Sequence, residues 1–124
     1  MRIIPTRIHG LADYMFGIVL IGLPYLFDTW IDRGPKVWVP MILGIVSLAY
    51  SLMTRYEMSI VGLIPMRVHL MFDVIGGLLL ATSPFLFGFS GRIWVPYVVL
   101  GVAEIGLSLL TNTQPGPALQ TKRA

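Results

Sequence analysis

Residues 4–27, displaced by 60 positions, land on a second copy of themselves. Ile4, Pro5, Arg7, His9, Asp13, Gly17, Leu20, Pro24, Leu26 and Phe27 meet Ile64, Pro65, Arg67, His69, Asp73, Gly77, Leu80, Pro84, Leu86 and Phe87. Shared apolar bias produces matches among Leu and Ile, but not matched Arg, His, Asp and Pro. A second match follows: Trp38-Val39-Pro40 repeats as Trp94-Val95-Pro96. One residue out of step, Gly44, Ser51, Leu52 and Thr54 repeat as Gly101, Ser108, Leu109 and Thr111. A repeat of this kind dictates that one supersecondary unit is built twice. The units are 1–60 and 61–112, followed by a polar tail, 113–124, whose composition predicts disorder.

Each unit holds two apolar stretches, roughly 8–27 and 37–54 in the first and 68–87 and 93–111 in the second. At 1.5 Å per residue, stretches of about 18–20 residues match a hydrocarbon core of about 30 Å. Composition agrees: 56% of the 124 residues are hydrophobic and 12% charged, about half the charged share of a soluble domain. A soluble chain this short buries only about two thirds of its surface and has no core large enough for so much apolar side chain. The first stretch is not read as a cleaved secretory signal. His9 and Asp13 interrupt its apolar core, no small-residue cleavage site follows Tyr25, and the segment recurs in mid-chain. With no cysteine, disulfides and thiolate chemistry are excluded.

The expected fold is an all-α membrane protein of four transmembrane helices. Two spans per unit make both copies enter the membrane in the same direction, giving an up-down antiparallel bundle with a pseudo-two-fold axis along the membrane normal. The N-terminus, middle loop and C-terminus carry Arg2, Arg7, Arg55, Arg67, Lys122 and Arg123, six in all, against Arg33, Lys36 and Arg92 in the other two loops. The positive-inside rule then places both termini in the cytoplasm. Trp30, Trp38 and Trp94 fall at the opposite interface, as an aromatic belt would. The net charge of +3 is spread over these loops rather than gathered into a basic stripe, which argues against a nucleic-acid partner.

In these residues the chain resembles the SPW-repeat family of small bacterial membrane proteins, named for a Ser-Pro-Trp motif in the first span of each repeat. The motif stands here as Ser83-Pro84-Phe85 in the second copy and Leu23-Pro24-Tyr25 in the first. The likeness extends through Arg7-Ile8-His9-Gly10 with Asp13-Tyr14, Tyr56-Glu57, and Arg67-Val68-His69 with Asp73, covering nearly the whole chain up to the tail. The resemblance implies a plasma-membrane location and a duplicated four-helix fold, and no established activity.

Ionisable groups inside a bilayer cost about 2.5–3.5 kcal/mol on insertion scales, so each asks for a reason. Five stand within the apolar stretches: His9, Asp13, His69, Asp73 and Glu104. His9, Asp13 and Gly17 share a helix face by i, i+4, i+8 spacing, and His69, Asp73 and Gly77 repeat it. Gly101, Glu104, Ser108 and Thr111 share a face of the last span. The matching second-span set is Gly44, Ser47, Ser51 and Thr54, so Ser47 stands where the other copy has Glu104. Counting residues from the span ends puts Asp13, Asp73 and Glu104 in one layer roughly 10 Å deep.

The first reading of this cluster is structural. Each His–Asp pair satisfies itself and fixes the bundle's register, polar residues acting as glue between helices. Arg7 and Arg67 then snorkel to the interface, and Glu57 pairs with one of them. A proton- or ion-coupled transporter or channel using the carboxylate and histidine layer is the alternative. A third reading, a metal site of His9, His69, Asp13 and Asp73 or a haem between the two histidines, has suitable ligand chemistry. No cofactor is expected. Neither is an enzyme: the serines lack a histidine at matching depth, and Gly76-Gly77 lies mid-span rather than in a phosphate loop. Pro24 and Pro84 read as helix-ending or kinking residues. The expected partners are the lipid bilayer and further copies of the chain, with no protein partner identified.

Overall fold

The computed structural model of the protein describes residues 2–57 and 59–113. The tail expected to be disordered, with Lys122 and Arg123, lies outside the described residues from 114 onward. Four helices follow one another: α1 (Thr6–Leu26), α2 (Pro35–Leu52), α3 (Met66–Leu86) and α4 (Val95–Leu110). Among the described residues there is no strand, only isolated bridges between Ile4 and Thr111 and between Thr54 and Ile64.

Proline sets each helix start. Pro5 and Pro65 are the residues immediately before α1 and α3, Pro35 opens α2 and Pro96 lies in the first turn of α4. Proline's fixed φ suits a helix start, where its missing N–H costs nothing. This is why α1, α2 and α3 begin about two residues before the apolar stretches do. At the far ends of α1 and α3 the chain turns through a left-handed residue, Asp28 (φ 57°) in one copy and Gly88 (φ 74°) in the other. These positions are 60 apart, and Asp and Gly are residues that tolerate this backbone. The turn folds the Thr29 and Phe89 N–H groups back onto the Pro24 and Pro84 carbonyls, 2.8 Å in both cases.

Helices α1, α2 and α3 are long and apolar enough to cross a membrane. The last helix is shorter than the expected span, 16 residues or about 24 Å. Trp94 (φ −148°) is not yet helical, and Thr111 has gone extended (ψ 142°) to bridge Ile4. The outward faces are apolar: Ile8, Leu11, Met15 and Ile18 on α1 and Met71, Ile75 and Leu78 on α3 are all exposed. That surface suits hydrocarbon rather than water.

Helix α1 packs closely on α2 and α3 on α4, while α2 meets α3 more sparsely. Each close pair crosses at two glycines. A Cβ on Gly44 would stand 2.7 Å from the Gly17 carbonyl oxygen, and one on Gly77 would stand 2.7 Å from that of Gly101. Only glycine permits backbones this near, and such contact supplies dispersion energy where lipid removes the hydrophobic drive. Toward the 27–34 and 88–94 loops the centre is an apolar plug of Leu20, Leu23, Leu80, Phe89 and Tyr97. Toward the other end it is polar.

Candidate functional site

That polar end is built from the first turns of α1 and α3. His9 and Asp13 face inward from α1, and His69 and Asp73 from α3, all four essentially without exposed surface. Their i, i+4 spacing stacks each histidine over its own aspartate. Four nitrogen–oxygen contacts close them into a ring. His9 Nε2 lies 3.0 Å from Asp13 Oδ1 and 2.8 Å from Asp73 Oδ2, and His69 Nε2 lies 2.8 Å from Asp13 Oδ2 and 3.0 Å from Asp73 Oδ2. The ring thus ties α1 to α3, which belong to different helix pairs. The two imidazoles stand edge to face, 5.5 Å between centroids.

The outer nitrogens are held identically. His9 Nδ1 is 2.7 Å from Thr111 Oγ1, and His69 Nδ1 is 2.7 Å from Thr54 Oγ1. Each threonine hydroxyl donates its single proton to the carbonyl four residues back, Leu107 or Tyr50, at 2.6 Å. Toward the histidine it only accepts. Both Nδ1 atoms therefore carry hydrogen, and both Nε2 atoms point into the ring. There each Nε2 faces the oxygens of two carboxyl groups, contacts that a proton shared between nitrogen and oxygen or a bound cation would satisfy.

Two tyrosines complete the carboxylates. Tyr50, on α2, donates to Asp73 Oδ1, and Tyr56, in the loop after α2, donates to Asp13 Oδ2 at 3.1 Å. Burial, and next the Asp13 carboxylate, push the Tyr56 phenol above its ordinary pKa, so it stays a donor. Not every contact is aligned. His69 Nε2 and Asp13 Oδ1 are buried without a well-directed hydrogen bond, short distances notwithstanding.

The other residues singled out in the sequence have separate places. Glu104 and Ser47 do not join the ring but line an adjoining cavity of about 350 Å³ between the helices, with Tyr50 and Asp73. Its walls are otherwise apolar, among them Phe16, Leu43 and Phe72. Glu104 Oε1 and Ser47 Oγ are buried there without hydrogen-bond partners. Arg7 and Arg67 are exposed. Glu57 accepts from the Thr6 hydroxyl at 2.7 and 3.0 Å.

The Ser-Pro-Phe triplet lies at the opposite end of α3. Pro84 lacks the N–H that would bond the Leu80 carbonyl four residues back, and the Ser83 hydroxyl donates to that oxygen instead, at 2.7 Å. Serine before proline repairs the break that proline makes, as membrane helices require. In α1 Leu23 stands there and offers no such donor. Pro24 and Pro84 lie inside their helices, each the third residue from the end. Phe85 and Tyr25 point outward, 60% and 61% exposed, beside Trp94 and Trp30 respectively. The third motif position is therefore an outward aromatic of this end and takes no part in the ring.

Four partners of the ring escaped sequence reasoning in that role: Tyr50, Tyr56, Thr54 and Thr111. The threonines carried a signal, since they match each other in the repeat. The tyrosines carried none from the repeat, because their counterparts are Leu107 and Thr113, and Tyr56 was marked only by its place in the Tyr56-Glu57 family likeness. The two imidazoles that the haem reading would set on either side of a macrocycle stand 5.5 Å apart between centroids, with both Nε2 atoms on carboxylate oxygens.

A family model described as the SPW repeat domain matches residues 7–111. No curated protein and no solved structure matches the chain.

Proposed function

The chain belongs to the SPW repeat family, and on that footing we propose that it is a non-catalytic membrane protein whose buried ring clamps two parallel two-helix repeats together. The observation that carries this reading is the pair of crossed contacts, His9 to Asp73 and His69 to Asp13, both 2.8 Å. With protons on both Nε2 atoms, two imidazolium and two carboxylate charges cancel. The quartet is then neutral as a whole, the condition under which charges tolerate burial in a low-dielectric interior.

In this reading residues 1–60 and 61–112 are the two repeats, related by a pseudo-two-fold axis along the membrane normal, with four spans running up and down. The matched glycine crossings, matched Thr–His bonds and matched bridges Ile4–Thr111 and Thr54–Ile64 support it. The excess of Arg and Lys on the ring's side supports cytoplasmic termini in the plasma membrane. The continuous apolar exterior suits lipid and further copies of the chain as neighbours.

The clamp is tested by equilibrium unfolding in detergent, with a metal chelator present throughout. Asp73→Asn removes one charge and leaves its partners uncompensated. It should lower stability by about 3–4 kcal/mol, the lower part of the range for breaking a buried ion pair. Unchanged stability in both Asp73→Asn and Asp13→Asn contradicts the clamp.

A further inference from the structure

We propose that the ring is also a binding site for one divalent first-row transition-metal ion, held by His9 Nε2, His69 Nε2, Asp13 and Asp73. The inference rests on the ring as described for the clamp and adds an occupant to it.

The donor set comes first. Two imidazole nitrogens and two carboxylates form a mixed nitrogen–oxygen set that suits zinc, and also manganese, iron or cobalt in the divalent state. One ligand atom from each residue lies within 4.8 Å of all the others. Metal–ligand distances of about 2.0–2.2 Å put neighbouring donors roughly 2.9–3.5 Å apart, the lower value for a square array and the upper for a tetrahedron. Taking one oxygen from each carboxylate, three of the donor separations lie at the lower end of that range: His9 Nε2 to Asp73 Oδ2 at 2.8 Å, His69 Nε2 to Asp73 Oδ2 at 3.0 Å and His69 Nε2 to Asp13 Oδ2 at 2.8 Å. Asp13 meets His9 through its other oxygen, Oδ1, at 3.0 Å, so a four-coordinate site asks only that the side chains adjust around donors already gathered within 4.8 Å.

The surroundings point the same way. Metal-bound histidines donate their other N–H to an outer acceptor, which fixes the ring's orientation. Thr111 and Thr54 provide that acceptor at both rings, and do so because their own protons are committed to backbone carbonyls. Tyr50 and Tyr56 orient the carboxylates in the same manner. His69 Nε2, fully buried and aimed inward, has no well-directed hydrogen bond, and neither has Asp13 Oδ1. These are atoms a cation would engage.

Charge balance allows the exchange. A dication with two neutral histidines and two carboxylates is neutral, as is the quartet holding two extra protons. Binding one ion and releasing two protons thus leaves the buried charge at zero. All four donors come from the protein, which is the closed arrangement of a structural site rather than an open catalytic one.

The experiment uses tag-free protein in detergent micelles, stripped with a chelator and titrated with Co²⁺ and then Zn²⁺. The expected result is one-to-one binding, with Co²⁺ taking the visible ligand-field absorption of a four-coordinate site and Zn²⁺ displacing it. Thr54→Val, which keeps every ligand, should weaken binding about 10–100-fold, as loss of an outer partner does. Co²⁺ should raise the Tm of the wild type and leave that of His9→Ala unchanged. Wild-type protein that takes up no Co²⁺ overturns the proposal without needing any variant to fold. So does an absorption band that persists in the His9→Ala, His69→Ala double variant. Neither result touches the clamp, whose stability test is run in chelator.

Discussion

Thr54 and Thr111 lie just past the ends of α2 and α4, where a hydroxyl ordinarily does no more than satisfy a carbonyl. Here each is also the sole acceptor for a buried imidazole Nδ1–H, so two ordinary residues settle which nitrogen of each histidine faces the ring. Removing one leaves that N–H buried and unpaired. Thr54→Val keeps the side-chain volume and deletes only the hydroxyl, and it should lower stability by about 1–2 kcal/mol, measured by denaturant unfolding in micelles. Thr111→Val should do the same, because the two bonds are alike in length and burial. A neutral outcome for both would mean that the histidines are oriented by the carboxylates alone. The His9/Asp13 and His69/Asp73 spacing was legible in the sequence because i, i+4 geometry follows from the helix itself. The tyrosines' part in the ring was not, since the repeat sets Leu107 against Tyr50 and Tyr56 lies in a loop that helical periodicity does not reach.

The helices of each close pair cross with their backbones in near contact at glycines. Gly77 and Gly101 bring α3 and α4 together, and a methyl on Gly101 would meet the Gly77 carbonyl and the Ala81 backbone. Neither neighbour yields as a flexible side chain would, so Gly101→Ala should cost about 1–3 kcal/mol through overpacking. Gly22 is the control: a Cβ there meets nothing within 4 Å. Gly22→Ala should be neutral or gain up to about 1 kcal/mol of helix propensity. Thermal melts of the two variants side by side check the contrast, and equal effects would contradict it. The four elements were legible as apolar stretches bounded by turn residues. Their ends were less so, because Pro5, Pro35 and Pro65 start helices ahead of the first apolar residue. Helix α4 ends early because Thr111 pairs with Ile4, a contact more than a hundred residues away in sequence.

Across the molecule the two ends are held by different physics. The loop end is an apolar plug with an exposed Arg92–Asp32 ion pair at 2.8 Å, a contact that contributes little, about 0–1 kcal/mol. The other end is a polar ring with no exposed surface, joined by bridges from Ile4 to Thr111 and from Thr54 to Ile64. The symmetry of the sequence is broken beside that ring, where Ser47 and Glu104 share one cavity. The matched sequence positions set His9 against His69, but not their faces against each other, since that depends on how the helix pairs dock.

The account turns on the ring acting between those pairs rather than within each. A double-mutant cycle of His9→Ala and Asp73→Asn, read as unfolding free energy in detergent with chelator, measures this most directly, because the two residues lie on helices of different close-packed pairs. The account predicts a coupling of about 1 kcal/mol or more, the double variant being less destabilised than the sum of the singles. Effects that add to within about 0.3–0.5 kcal/mol would contradict it.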